Sequence, residues 1–345
     1  MFTENREKMR RQFITIKDIA RELGISVSTV SRALRDAHDV NRETRESVLA
    51  KAAELNYKPN FNAIGLVQSN THNIGVVMPG ITNYYFSTVF TGIEEIAYEN
   101  GYNLILFLTN DSPEREQRLI QDLSLSSLDG LLVSLTSSED RPYGPVLENG
   151  IPIVFFDRVG SDLRTSKVMQ DDYNGAFEAT QHLIDGGYRR IAHIGGPAGL
   201  AFSRKRLQGY LDALERNGLT IREEWIVHSG FSQEHGQQDV EELWKSAVKP
   251  DAIFAVNDRK AIGAMLALKA RGIAIGPEVG VVGFTNDPVS AIISPSLTTM
   301  AEPAFEIGKI SCELLLKHIT KKHFEPKERT LPGRLVVRES SRRNP

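Results

Sequence analysis

A short segment near the amino terminus concentrates hydroxyl and guanidinium side chains. Residues 25–36 read ISVSTVSRALRD and place serines, a threonine and two arginines at helical spacing. Serine and threonine compete with the backbone for hydrogen bonds, so an ordinary surface helix would carry Glu, Lys and Ala instead. Short hydroxyls let a helix approach a partner closely, and arginine can donate two hydrogen bonds to guanine or clamp a phosphate. The segment therefore indicates a helix that contacts something outside the protein.

Apolar residues on both sides of Gly24 predict two short helices joined by a tight turn. Gly24 ends the first helix, and Ser26 is a natural amino-terminal cap for the second. The apolar positions are Ile16, Ile19, Ala20 and Leu23, then Val27, Val30, Ala33 and Leu34. These are predicted to point inward, which leaves outside Ser28, Thr29, Ser31, Arg32 and Arg35. Such a helix-turn-helix inserts its second helix into the major groove of DNA, although similar helical hairpins occur in proteins that never touch DNA.

A third helix is expected to complete this small domain. Asn41 is placed to cap the helix, and the segment NYKP ends it. The predicted buried stripe consists of Val48, Leu49, Ala52 and Leu55. Residues 1–65 hold 12 Lys and Arg against 9 Asp and Glu, whereas the rest of the chain holds 29 against 35. A basic head on an acidic body is a pattern seen in nucleic-acid-binding proteins.

The composition excludes several classes of protein. The chain has 345 residues, of which 41% are apolar and 25% charged, so two or three soluble folding units are expected. The single cysteine, Cys312, excludes an internal disulfide and a multi-cysteine zinc site. No membrane span or secretory signal is found, so a cytoplasmic location is expected. Phosphate-loop, serine-elbow and zinc-protease motifs are also missing, and neither an enzyme nor a cofactor or metal site is expected.

Residues 72–340 alternate short apolar runs with helical segments such as 86–98. The first series of runs is NIGVVM, YNLILFL, GLLVSL and IPIVFF, and the second is RIAHIG, EWIVHSG, DAIFAV and VGVVGF. This alternation predicts parallel sheets covered on both faces, and the two series predict two lobes. Ligands of such lobes bind beyond the carboxyl ends of the strands.

Aromatic and polar residues follow these runs directly. They are Asn83, Tyr84, Tyr85, Phe86, Asp157, Arg158, Arg204, Arg206, Phe231, Asn257, Asp258, Thr285, Asn286 and Asp287. Together they suit a small polar ligand, such as a sugar or a base, that is stacked and hydrogen-bonded. Each alone has a structural alternative: Asp157 could cap a turn, Asn257 and Asp258 could cap a helix, and Tyr84 could belong to the core.

The segments TIKDIARELGISVSTVSRAL, TRESVLAKAAELNYKPN and IGVVMP resemble the lactose/galactose repressor (LacI/GalR) family of bacterial transcription regulators. The similarity runs through nearly the whole chain, apart from the first dozen residues. It implies an all-α helix-turn-helix head followed by an α/β two-lobed effector domain of the periplasmic-binding-protein type. The implied domains are a head at 14–59, a hinge at 60–71 and an effector and dimerisation domain at 72–340. Lobe one would hold approximately 72–171 and 302–329, and lobe two approximately 172–299 and 330–340.

The resemblance also assigns roles to individual residues of the head and the hinge. Base-reading positions are matched by Val27, Ser28 and Arg32, and candidate phosphate contacts are Thr15, Thr29, Ser31 and Asn60. In the family the hinge forms a helix on DNA and inserts a leucine into the minor groove, which Leu66 matches, with Ala63 beside it. A flexible linker is the alternative, because an isolated segment this short, with Gly65 inside it, is a weak helix.

For the body, the resemblance implies an effector cleft between the lobes. Matching positions are Tyr85, Phe86, Asp157, Arg206, Phe231 and Asn257. Sugar-binding relatives usually carry an Asp where this chain has Thr285, with Asn286 next, so Asn286 is a further candidate and a simple hexose is disfavoured. The expected function is a transcription repressor that binds a pseudo-palindromic operator as a homodimer and answers to a small sugar-like effector. A stand-alone sugar-binding protein is the alternative, and the head argues against it.

Overall fold

The computed structural model describes residues 14–34, 39–57, 71–123, 127–137, 139–321 and 323–343. The chain divides into two compact units, Met1–Thr71 and His72–Pro345, which are called the head and the sensor below. No helix of the described ranges combines the length and apolar character needed to cross a bilayer.

The described part of the head contains the three expected helices, α1 (Ile16–Leu23), α2 (Val27–Leu34) and α3 (Arg42–Glu54). Gly24 ends α1 in a left-handed conformation with φ of 66°, which glycine adopts at no steric cost. The Ser26 hydroxyl accepts from the backbone N–H of Thr29 at 3.0 Å and thereby caps α2. The Asn41 side chain accepts from the N–H of Thr44 at 2.7 Å and caps α3. The three residues that were predicted to end or cap helices, Gly24, Ser26 and Asn41, therefore do so.

The core of the head is smaller than predicted. Its buried residues are Ile19, Ala20, Val30, Ala33, Val48 and Ala52. Leu49 was predicted to be buried and is 49% exposed, because one step along a helix turns a side chain about 100° away from Val48. Val27 was also predicted to point inward and is 38% exposed at the first position of α2. Both predictions were wrong.

The sensor contains two six-stranded sheets. The strands of sheet one are β1 (Asn73–Met78), β2 (Asn103–Leu108), β3 (Gly130–Val133), β4 (Ile153–Phe156), β5 (Ser166–Gln170) and β11 (Glu328–Leu331). Those of sheet two are β6 (Ile191–Gly195), β7 (Ile226–His228), β8 (Ala252–Ala255), β9 (Gly280–Thr285), β10 (Thr298–Ala301) and β12 (Arg334–Val336). The orders are β11-β5-β4-β3-β1-β2 and β12-β10-β9-β8-β6-β7.

Strand pairing is parallel except between β10 and β12, which run antiparallel. In register, Ile74 of β1 pairs with Leu104 of β2 and with Gly130 of β3. All eight apolar runs form strands at the predicted places, so the two-lobed α/β architecture is confirmed. The remaining four strands, β5, β10, β11 and β12, were not predicted from the sequence.

The helices of the sensor pack on both faces of the sheets. They are α4 (Tyr84–Glu99), α5 (Pro113–Asp122), α6 (Gly144–Glu148), α7 (Asp172–Asp185), α8 (Ala201–Arg216), α9 (Gln233–Leu243), α10 (Asp258–Ala270), α11 (Val289–Ile292) and α12 (Ala304–Thr320). Sheet one lies between two buried apolar clusters, one of which includes α4 and α12, and sheet two lies between two others. The carboxyl ends of the parallel strands remain open for a ligand.

The chain crosses between the lobes three times. β5 of sheet one leads into α7, β10 of sheet two leads into α12, and β11 leads into β12. Helix α12 packs against sheet one, so the second crossing lies at residues 302–303. The last strand of sheet one therefore ends at Leu331, and the last parallel strand of sheet two ends at Ala301.

Candidate functional site

The predicted base-reading residues lie on the surface of the head. Ser28 and Arg32 are exposed on α2, together with the partly exposed Val27. The Arg32 side chain is 60% exposed and pairs with Asp39, whose Oδ2 lies 2.9 Å from its Nη1. An exposed ion pair of this kind contributes about 0 to 1 kcal/mol, so DNA can displace it at little cost.

The hydroxyls at the start of α2 form a connected group. The Ser26 Oγ lies 2.7 Å from Ser28 Oγ and 2.8 Å from Thr29 Oγ1. Thr15 precedes α1, and its hydroxyl donates to Asp18 Oδ2 at 2.7 Å. Ser31 is half-buried on α2. The remaining predicted DNA contacts, Asn60, Ala63 and Leu66, lie outside the described residues, as does Arg35, which was predicted to face outward.

In the sensor, a cleft of about 530 Å³ opens at the carboxyl ends of the strands. Six of the seven predicted effector residues line it, namely Tyr85, Phe86, Asp157, Arg206, Phe231 and Asn257. Asn286 does not line the cleft, because its amide oxygen accepts from Arg338 Nη2 at 2.7 Å. Its neighbour Thr285 lines the cleft in its place.

Arg206, on α8, is the most extensively bonded of these residues. Its Nε donates to Asp172 Oδ1 at 2.8 Å, and its Nη1 donates to the carbonyl oxygen of Val256 at 2.6 Å. Its Nη2 donates to Glu302 Oε1 at 2.7 Å. The guanidinium carbon also lies 3.6 Å from the centroid of the Phe284 ring. Burial raises the pKa of Asp172 and Glu302, and the Arg206 charge opposes that shift.

Arg158 lies among aromatic rings in the same cleft. Its guanidinium carbon is 5.8 Å from the centroid of Phe86, 5.6 Å from that of Phe202 and 5.9 Å from that of Phe231. Phe86 belongs to lobe one, and the two other rings belong to lobe two, where they stack at 5.7 Å. Nη1 of Arg158 pairs with Asp111, whereas the buried Nε has no hydrogen-bond partner among the described residues.

Asp157 and Tyr85 provide further polar groups at this end of sheet one. Asp157 has φ of 59°, a conformation that costs energy for a residue with a side chain, and Ser134 donates to its Oδ2 at 3.2 Å. Burial raises the pKa of Asp157, although Arg158 opposes this. Burial and the Asp157 charge raise the pKa of Tyr85, whose hydroxyl is buried without a hydrogen-bond partner in the described ranges. A ligand hydroxyl would satisfy such a group.

Asn257 caps a helix in addition to lining the cleft. Its side-chain oxygen accepts from the N–H of Lys260 at 2.8 Å and caps α10, as the alternative interpretation predicted. Its amide nitrogen donates to the carbonyl oxygen of Phe231 at 3.1 Å. One amide hydrogen is left for a ligand.

The lining residues that were not selected from the sequence include Asp111, Phe202, Arg259 and Glu302. Asp111 follows the predicted strand β2, so a search of the residues after each strand would have found it. Glu302 follows β10, a strand that was not predicted from the sequence. Phe202 and Arg259 lie in the first turns of α8 and α10, near residues that were selected, so the same signal could have found them. Arg259 donates across the cleft to the carbonyl oxygen of Thr82 at 2.7 Å.

Within the described ranges, no cluster of three His, Cys, Asp or Glu could hold a metal ion.

Comparison with known proteins places both units in known families. The model of bacterial regulatory proteins of the lacI family matches residues 15–60, and that of a periplasmic binding protein-like domain matches residues 180–341. Catabolite control protein A of Priestia megaterium is 31% identical, over 95% of this chain and 99% of its own. The ribose operon repressor of Haemophilus influenzae is 33% identical, over 94% of this chain and 98% of its own.

A solved structure agrees with these relatives. The lac repressor dimer bound to operator and the anti-inducer ONPF is 26% identical and has a TM-score of 0.83, over 95% of this chain and 99% of its own. The likeness thus extends through head and sensor together, in sequence and in fold. The chain therefore belongs to the lacI family of bacterial regulatory proteins and is a transcription regulator of that family.

Proposed function

We propose that this regulator represses transcription by binding a pseudo-palindromic operator as a homodimer, and that an uncharged, sugar-like effector in the cleft controls it. The observation that carries the effector proposal is the inventory of hydrogen-bonding groups in the cleft. Carboxylate acceptors there have spare lone pairs, whereas all three guanidinium nitrogens of Arg206 already donate to the protein. A ligand that brings many hydroxyl donors fits that inventory.

On the head, the exposed face of α2 supports the DNA part of the proposal. Ser28 and Arg32 are the polar side chains proposed to reach base edges, and Val27 is exposed to contact a thymine methyl group. Thr15, Thr29, Ser31 and Asn60 are proposed to contact phosphates, and Ala63 and Leu66 the minor groove. A two-fold protein requires a two-fold operator, which explains the expected palindrome.

In the cleft, the rings and the carboxylates suit different sides of a sugar. Phe86, Phe202 and Phe231 offer aromatic surface to the apolar face of a pyranose or furanose ring. Asp157 and Glu302 offer carboxyl oxygens that can accept hydrogen bonds from its hydroxyls. One relative is named a ribose operon repressor, and this name agrees with a sugar-like effector.

The charges of the cleft disfavour phosphorylated sugars. Asp157, Asp172 and Glu302 are largely buried carboxylates, with side chains 18%, 8% and 6% exposed. Arg206 already pairs with two of them, and Arg158 with Asp111. A phosphate would therefore meet repulsion from these carboxylates, because like charges in a buried site repel strongly, and among the described arginines of the cleft only Arg259, which bonds to a backbone carbonyl, lies outside an ion pair.

The test is a thermal-shift panel of matched sugars and sugar phosphates, such as D-ribose with D-ribose 5-phosphate and D-glucose with D-glucose 6-phosphate. A ligand at 100 times its Kd should stabilise the protein by about 2.7 kcal/mol. The expected result is a shift with an unphosphorylated member and none with its phosphate. A phosphate that binds more tightly than its parent would overturn the charge argument, and no shift with any sugar would overturn the effector class.

The test of DNA binding compares the full chain with a variant that lacks residues 1–71. Selection from random oligonucleotides should yield a palindromic sequence for the full chain, and the truncated protein should fold without binding it. A truncated sensor that still bound the selected DNA would contradict the assignment of the head. Failure of the full chain to prefer any sequence would favour the alternative, a ligand-binding protein without a role on DNA.

A further inference from the structure

Two of the three crossings between the lobes begin with a buried carboxylate. Asp172 is the first residue of α7, two residues after β5 of sheet one ends. Glu302 directly follows β10 of sheet two, two residues before α12 begins. Their side chains are only 8% and 6% exposed. Two negative charges are therefore buried where the chain passes between the lobes.

One guanidinium bonds to both of these crossings. Nε of Arg206 donates to Asp172 Oδ1 and Nη2 donates to Glu302 Oε1, at 2.8 and 2.7 Å. Its Nη1 donates to the carbonyl oxygen of Val256, directly after β8 of lobe two. Because Arg206 lies on α8 of lobe two, this network fixes both crossings to the same lobe.

The third crossing is coupled to the first through the backbone. The N–H of Asp171 donates to the carbonyl oxygen of Leu331, the last residue of β11, at 2.9 Å. Any rotation of one lobe on the other must change backbone dihedral angles in these crossings, as in other hinges. The Arg206 network therefore contacts two of the three crossings directly. It is linked to the third crossing through Asp171, which precedes Asp172 and bonds to Leu331.

We propose that Arg206, Asp172 and Glu302 form a hinge clamp that holds the two lobes at a defined angle, with Arg206 as a positioning residue. Three directed bonds from a rigid planar group restrict the crossings more than a flexible ammonium would. Arg206 and Glu302 also line the cleft, so an occupant that bonds to Glu302 acts on the clamp directly. This last link, from effector to hinge, rests on the proposed function, whereas the clamp itself does not.

The experiment measures the distance between the lobes in the full-length protein without ligand. Spin labels on Glu148→Cys in lobe one and Glu215→Cys in lobe two report that distance, because both positions are exposed. The native Cys312 is 0% exposed and stays unlabelled. The variants are Asp172→Asn and Glu302→Gln, which keep the size of each side chain and remove its charge.

Asp171→Asn is the matched control. Asp171 is a carboxylate on the same crossing, but it bonds to Asn174 and not to Arg206. The expected result is a wider or shifted distance distribution in Asp172→Asn and Glu302→Gln, and an unchanged one in Asp171→Asn. Circular dichroism establishes that each variant is folded, and two clamp variants are used so that one misfolded protein does not end the test. Distributions that coincide with the wild type and the control would overturn the clamp, whichever ligand the cleft takes.

Discussion

The head and the sensor use arginine in opposite ways. Arg32 of the head is 60% exposed and has one ion pair with a described residue, whereas Arg206 of the sensor is 6% exposed and has three hydrogen bonds. A group that is exposed and weakly bonded is available to a partner that arrives from solvent. A group that is buried and fully bonded holds its surroundings in place. The difference suggests that the head is built for contact and the sensor for positioning.

The same contrast separates the cores of the two units. In the described part of the head the buried apolar set has six members, half of them alanines. The sensor has four buried clusters that cover both faces of two sheets. Stability per residue rises with the fraction of surface that a domain buries. Substitutions of buried residues are therefore expected to act mainly on folding, and substitutions on the exposed face of α2 mainly on DNA affinity.

The largest effect is expected from Arg206→Ala. This change leaves the carboxylates of Asp172 and Glu302 buried without their cation, which should cost about 3 to 5 kcal/mol of unfolding free energy. Urea denaturation of the sensor would measure it. Arg204→Ala on the same helix is the control, because Arg204 is exposed and bonds only to backbone carbonyls. A similar small loss of unfolding free energy in both variants would contradict the stabilising role of the buried Arg206.

A pH-dependent effect in the sensor is expected from His193. Its ring is fully buried between Tyr210 and Phe254, and burial lowers its pKa to about 3. Between pH 3 and the usual value of 6.5, the unfolded chain binds a proton that the native state excludes. Stability from this group is thus present above pH 6.5 and is lost as the pH falls, with a slope of up to about 1.4 kcal/mol per pH unit.

The variant His193→Phe should flatten this pH dependence, since phenylalanine keeps the stacked ring and cannot bind a proton. Urea denaturation at a series of pH values from 4 to 7 checks the slope, with the exposed His323→Phe as the control. An unchanged slope in His193→Phe would show that other groups cause the acid sensitivity of the sensor.

On the head, Arg32→Ala should leave folding nearly unchanged and weaken specific DNA binding. One bidentate contact to a base contributes about 1 to 3 kcal/mol of discrimination, whereas the exposed pair with Asp39 contributes about 0 to 1 kcal/mol to stability. Affinities for the selected operator and for random DNA of equal length would be measured at one salt concentration. An equal loss on both DNAs would make Arg32 a phosphate contact and not a base reader.

The sequence was sufficient to predict those parts of the fold that have strong local signals. The eight strands found from it are nearly continuous apolar runs, as buried parallel strands should be. Strand β5, SKVMQ, carries Ser166 and Lys167 in buried positions, and β11, ERTL, is mostly polar, so neither has such a signal. These strands form through pairing with their neighbours, which a local pattern does not reveal.

The candidate site was predictable to the extent that it follows strand ends. Six effector candidates line the cleft because the parallel topology brings strand ends to one edge. Asn286 shared that sequence signal, but its amide is bonded to Arg338, a residue some fifty positions away near the carboxyl terminus. Likewise, nothing local marks Glu302 as the partner of Arg206. Residue type and strand position predict which residues lie near the cleft. The tertiary hydrogen bonds determine which of their polar groups remain available to a ligand.

The smallest predicted effect tests the corrected stripe of α3. Val48 is fully buried, so Val48→Ala should cost roughly 1 kcal/mol or more, because it removes methyl groups from a small core. Leu49 is 49% exposed, so Leu49→Ala should stay within about 0.5 kcal/mol of the wild type. Both are measured by thermal unfolding of the isolated head, residues 1–71. Equal destabilisation by the two changes would mean that Leu49 is covered when the head is folded, and that the head has more core than its three helices display.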